Sequence, residues 1–202
     1  DIFLNAQKHY TAIADALRNA ARLLEEFGYE VVEVDPPDVE EAAQISENLN
    51  RYDQQLLSAP HFKDMLDDSS RKHFELVHGH QPLPTAHEYA STLTRRATIV
   101  RRWALFLEQY PILLCPNFSQ PIFRVGDDER DAEAWQRVRA AHALAFAVPL
   151  TGAPSIAVPT GLFEGLPIGI QVVGRRFRED TIVAAAEIIE AGFPRTAAFG
   201  DA

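Results

Sequence analysis

A serine nucleophile needs a base within reach, and the sequence offers one such pair, Ser70 and His73. On a helix this spacing puts both side chains on one face, where the imidazole could take the hydroxyl proton. No third group to orient the imidazole, and no loop to supply oxyanion donors, is evident beside them. Ser69-Ser70 is the only Ser-Ser pair, flanked by Asp67, Asp68 and Arg71 with no glycine near. His61, His73, His78, His80 and His87 crowd one stretch. A metal needs ligands converging at ~2 Å, with outer partners to orient them. His73 falls in a polar helix and His80 in a Pro/Gly loop, so solvated histidines are expected, with no metal and no cofactor. Cys115 closes a short apolar run before Pro116 and reads as a small buried hydrophobe.

The elements that must position these groups follow an α/β pattern. Ile13, Leu17, Ala20, Leu24 and Phe27 recur at spacings of four and three, which predicts a helix over 11–27 with Gly28 as its left-handed end. The run Glu30 to Val34, stopped by Asp35-Pro36-Pro37, reads as a strand. Residues 38–58 and 61–78 read as less regular helices, followed by a loop from Gly79 to Pro84. Thr85 and Glu88 have the spacing of a capping box. Ala86, Ala90, Leu93, Ala97, Val100, Ala104 and Leu107 then predict one buried stripe on a helix reaching about Tyr110, with Arg95, Arg96, Arg101 and Arg102 opposite.

Ile112 to Cys115 lies between prolines and is apolar on both parities, as a strand covered on both faces would be. Residues 117–130 read as a loop. A helix over 131–147 would bury Trp135, Val138, Ala141 and Leu144 and stop at Pro149. Ser155 to Val158 reads as a strand ended by Pro159, and Ile168 to Val173 alternates as a second strand. A glycine-rich connection of about nine residues joins them as an antiparallel pair. Asp180 would cap a last helix with Ile182, Ala185 or Ala186, and Ile189 inward, closed by Gly192. No boundary divides the pattern, so residues 1–202 read as a single domain.

The chain carries 19 Lys and Arg against 29 Asp and Glu, a net charge of -10. Its basic pairs, Arg95-Arg96, Arg101-Arg102 and Arg175-Arg176, stand isolated among acidic neighbours. Neither nucleic acid nor an anionic membrane is expected as a partner. No apolar run approaches the ~20 residues of a membrane span. A single cysteine permits no internal disulfide and fits a reducing, cytoplasmic setting. The chain opens at Asp1 and its only methionine is Met65, so coding sequence upstream is expected.

The most informative stretch is Thr151-Gly152-Ala153-Pro154-Ser155-Ile156-Ala157-Val158-Pro159-Thr160-Gly161. It leads into Gly165-Leu166-Pro167-Ile168-Gly169-Ile170-Gln171-Val172-Val173-Gly174-Arg175-Arg176-Phe177, with a helix after Asp180. This resembles the C-terminal region of the amidase signature family, with its Thr-Gly-x-Pro-Ala, Val-Pro-x-Gly and Gly-Leu-Pro-x-Gly-x-Gln pattern. Leu23 to Pro37 resembles the family's helix-strand step, and Thr85 to Pro116 its long helix and buried strand. The likeness covers nearly the whole chain. Pro149 departs from it, standing where the family often has asparagine. As residues, Gly165 suits positive φ in the turn and Gly169 suits a close backbone approach on a strand.

The resemblance implies an α/β fold: part of the amidase signature fold, a mixed sheet covered by helices, without its N-terminal strands and catalytic core. Residues 1–202 would then be an incomplete domain. Family members cleave carboxamide C–N bonds with a serine nucleophile, a second serine in a cis peptide, and a lysine. These sit in a Gly-Gly-Ser-Ser-Gly-Gly-like segment that the 202 residues do not contain. Lys8, Lys63 and Lys72 stand in no such setting. No catalytic residue is therefore assigned, and the chain alone is expected to be inactive. The family's substrate pocket lies near the loop after the buried strand, which implies Cys115, Asn117 and Phe118 as amide-substrate-binding residues. Open sheet edges and apolar helix faces imply self-association or contact with the missing N-terminal portion. Two other readings stay open: a non-catalytic partner chain, and an unrelated α/β binding module.

Overall fold

The computed structural model describes residues 2–54, 64–78, 82, 84–120 and 122–194. Its helices are α1 (Ile2–Glu26), α2 (Val39–Asp53), α3 (Asp68–His78), α4 (Ala86–Gln109), α5 (Ala132–Ala141), α6 (Ala143–Thr151) and α7 (Glu179–Gly192). Its strands are β1 (Ile112–Pro116), β2 (Ser155–Phe163) and β3 (Leu166–Gly174), and a 3-10 turn covers Asp127–Glu129. The chain forms two compact units, one of Asp1–Pro37, Arg102–Pro121 and Gly152–Ala202, the other of Asp38–Arg101 and Ile122–Thr151. No described helix is long and apolar enough to cross a membrane.

The first unit holds a three-stranded antiparallel sheet in the order β1-β3-β2. Alternation along β3 sends Ile170 and Val172 to one face and Gln171 and Val173 to the other. Ile170, Val172 and Val158 pack with Ala16, Ala20 and Leu24 of α1 and with Ile182, Ala185, Ala186 and Ile189 of α7. Two helices thus cover one face of the sheet, and the α/β class is borne out. The helix end at Gly28 is borne out, but α1 begins at Ile2 rather than at residue 11, and Phe27 is exposed instead of facing the core. Gly28 has φ 89, and the Gly28 and Tyr29 amides donate back to the Glu25 and Leu24 carbonyls at 2.9 and 3.0 Å, a Schellman closure.

Several local expectations are corrected. Glu30 to Val34 forms no strand: it pairs with nothing among the described residues, and Val31 and Val32 are exposed. β-branched residues favour a strand only where a sheet edge receives them. Pro159 does not end β2, which runs on to Phe163. As the edge strand, β2 tolerates the missing N–H, and a bulge between Pro159 and Gly161 absorbs the irregularity. The hairpin connection is two residues rather than about nine. Glu164 and Gly165 take φ 51 and 80, the left-handed pair of a type I′ turn. Gly169 does allow a close approach, since a Cβ there would lie 2.8 Å from the Val158 carbonyl oxygen.

Asp180 is not the cap of α7. Arg178 holds that position, and its guanidinium donates to both Asp180 oxygens at 2.9 Å. Gly192 is the last helical residue and is not left-handed. A Cβ there would meet Leu23 Cδ1 of α1, so that side chain would have to shift.

In the second unit, α2 packs against α6; Ala42, Ala43 and Ile45 of the one and Ala147, Val148 and Leu150 of the other are buried. Arg95 clasps both oxygens of Glu41 at 2.5 Å, and Arg139 clasps Glu47 and Gln44. The capping box forms: the Glu88 amide donates to the Thr85 hydroxyl at 3.2 Å, and Glu88 Oε2 accepts from the Thr85 amide at 2.7 Å.

The stripe on α4 is shifted from expectation. Ile99, Trp103 and Leu107 are buried, whereas Leu93, Ala97 and Ala104 are exposed. The buried phase runs through Ile99, Trp103 and Leu107, each four residues on from the last. One helix over 131–147 is instead two, α5 and α6, broken at His142 with φ -102 and ψ 12. Ala134, Ala147, Val148 and Leu150 are buried, while Trp135, Val138, Ala141 and Leu144 are only half-buried. Pro149 lies inside α6, exposed, and the helix closes at Thr151. Residues 55–63 and most of the loop from Gly79 to Pro84 lie outside the described residues.

Candidate functional site

Pairing of β1 with β3 sets Cys115 directly opposite Gln171. The Cys115 thiol donates to Gln171 Oε1 at 3.7 Å, and Gln171 Nε2 donates to the Ser155 hydroxyl at 2.9 Å. A polar row therefore crosses all three strands on the face turned away from α1 and α7. Asn117 and Phe118, both half-buried, follow β1 directly. The residues assigned to substrate contact by resemblance are thus gathered at one strand end. Gln171 and Ser155 were not singled out from sequence as members of this row. The signal available was the polar Gln171 in an otherwise apolar alternating strand.

Cys115 is 4% exposed, and burial pushes its thiol up to about 12. It is a protonated donor at neutral pH and no nucleophile. A thiol raised in the folded state favours folding below its unfolded value near 9, and that contribution is lost as pH rises from there through about 12. Native chain is expected to resist iodoacetamide at pH ~8, with alkylation at least tenfold faster in denaturant, as read by intact mass.

Ser70 and His73 are not joined. The Ser70 amide donates to Asp67 Oδ1 at 2.7 Å, and its hydroxyl also bonds Asp67, which caps the first turn of α3. The Ser70 amide, ahead of its hydroxyl, holds the Asp67 carboxyl below its ordinary value. His73 instead stands edge-on to Trp135, with ring centroids 5.0 Å apart, and its Nδ1 lies 3.6 Å from Asp128 Oδ2. Ser69 donates to Glu129 at 2.5 Å. His87 is exposed, while His61, His80 and the His78 side chain lie outside the described residues. Among the described residues, no three His, Cys, Asp or Glu side chains converge as metal ligands would.

The fold is α/β, a sheet covered by helices whose central strand carries the glutamine of the Gly-Leu-Pro-x-Gly-x-Gln pattern. The chain belongs to the Amidase family, whose profile matches residues 3–183. It is 30% identical over 184 residues to an indoleacetamide hydrolase of Bradyrhizobium diazoefficiens, covering 89% of this chain and 34% of that protein. The chain thus spans about a third of that relative's length. Allophanate hydrolase from Kluyveromyces lactis shares the fold with a TM-score of 0.71 at 19% identity, over 87% of this chain and 29% of that one. A glutamyl-tRNA(Gln) amidotransferase subunit from Thermotoga maritima shares it with a TM-score of 0.66 at 22% identity, over 97% of this chain and 42% of that one.

Proposed function

We propose that this chain is the C-terminal portion of an amidase that hydrolyses carboxamide C–N bonds, with its Ser-Ser-Lys segment outside these 202 residues. One observation carries the reading. The family match takes in nearly all of this chain, yet the described serines and bases form no nucleophile–base pair.

In this account the sheet is scaffold, and Cys115, Asn117 and Phe118 form one wall of the substrate cleft. The Cys115–Gln171–Ser155 row holds that wall in register. The serine supplied by the other portion attacks the amide carbonyl. Backbone amides stabilise the tetrahedral oxyanion, and the amine leaves with a proton relayed through the lysine. Water then releases the acid and regenerates the serine. Residues 1–202 are an incomplete domain in this reading, completed by the N-terminal portion or a second copy. Likeness to a protein named as a subunit favours a chain that works in contact with another. The setting is cytoplasmic and the substrate a small carboxamide.

A serine-directed fluorophosphonate tests this, because it marks a hydroxyl activated for attack. The chain alone should show no adduct by intact mass after prolonged exposure. A stoichiometric adduct on Ser70 or any other serine would sink the proposal.

A further inference from the structure

A cavity of about 370 Å³ lies in the second unit, lined from α2, α3, the 3-10 turn, α5 and α6. That volume falls within the ~300–1,000 Å³ typical of small-molecule sites. The polar groups on its wall are unevenly satisfied. Gln54 Nε2 donates to Asn50 Oδ1 at 3.1 Å, while Gln54 Oε1 is shielded from water with no hydrogen-bond partner among the described residues. His73 Nδ1 is likewise shielded and makes no hydrogen bond among the described residues, lying 3.6 Å from Asp128 Oδ2. A polar atom shielded without a hydrogen bond keeps its desolvation cost, which a ligand donor would recover.

Asp128 and Glu129 bring two carboxylates to the same wall, and Glu129 is held by the Ser69 hydroxyl. Glu47, the third carboxylate there, is neutralised by Arg139. Among the described residues that line it, none is a lysine or arginine. Trp135 and Phe146 supply apolar ring surface beside these acceptors. The wall therefore offers negative charge, spare acceptors and ring faces, and asks for N–H donors, positive charge and an apolar body.

We propose that this cavity binds a small organic cation, a primary ammonium group carried on an aromatic body. The ammonium donates to Asp128, Glu129 and Gln54 Oε1, and the body lies against Trp135 and Phe146. The site involves no step of amide hydrolysis, so it stands or falls separately from the amidase reading.

Titration calorimetry with phenethylamine at neutral pH tests it, with phenethyl alcohol as the uncharged counterpart. Saturable one-site binding of the amine is expected, with the alcohol at least tenfold weaker. Asp128→Asn with Glu129→Gln should weaken the amine at least tenfold and leave the alcohol unchanged. If that variant fails to fold by circular dichroism, the amine and alcohol are compared on the unaltered chain and on Trp135→Phe, which should weaken both. Absence of saturable heat with the amine, or equal binding of the alcohol, overturns the proposal. So does full displacement of the amine by magnesium chloride at matched ionic strength, which would make this an inorganic cation site.

Discussion

Trp103→Ala should lower the unfolding free energy by about 3–5 kcal/mol, the range for truncating a large buried aromatic. Trp103 is fully buried on α4, its indole nitrogen donates to the Pro37 carbonyl at 2.7 Å, and its ring meets Phe106 edge-on at 6.3 Å. The substitution removes the ring volume and also orphans the Pro37 carbonyl, and both losses act in the same direction. Trp103→Phe separates them. It keeps most of the packing and loses the hydrogen bond, so about 1–2 kcal/mol is expected. Guanidinium unfolding followed by far-ultraviolet circular dichroism reads both values. A loss below ~1 kcal/mol for the alanine variant would show that this ring does not anchor α4.

Gly174→Ala is the second large effect, at about 1–3 kcal/mol. Gly174 ends β3 where α7 crosses, and a Cβ would strike the buried Ile182 side chain, with the Pro111 carbonyl 3.8 Å away. Ile182 is 3% exposed, so its side chain must shift within the core to admit the Cβ. Because the clash is specific to that side chain, Gly174→Ala should cost less on an Ile182→Ala background than on the native one. Equal costs on the two backgrounds, measured as a double-mutant cycle, would place the penalty in the backbone rather than in packing.

These positions mark what the sequence could and could not reveal. Turn chemistry was readable at Gly28 and at the Thr85–Glu88 capping box, because each depends on a few adjacent residues. Where a neighbour decides, local signals misled. Pro159 looked like a strand end, yet an edge strand with a bulge carries it. Glu30 to Val34 looked like a strand, yet received no partner among the described residues. On α4 the alanines suggested a stripe, but Ile99, Trp103 and Leu107 set the buried face.

The candidate site was legible in the same uneven way. Cys115 was expected to be buried and is, on the alternation that buries Leu113 and Cys115 and leaves Ile112, Leu114 and Pro116 half-buried. The partnership of Cys115 with Gln171 and Ser155 depends on strand order and register, which no short motif encodes. Ser70 and His73 have a spacing that suits catalysis, but the Asp67 carboxylate takes the serine for a helix cap.

Ammonia release from primary carboxamides tests the central claim most directly. The assay compares the 202-residue chain alone with the same chain joined to any coding sequence that its gene carries before Asp1. The chain alone should release no ammonia above the buffer blank, and the joined protein should release it with saturation in amide. Saturable release by the 202 residues alone, or silence of a folded joined protein across the amide series, would contradict the account.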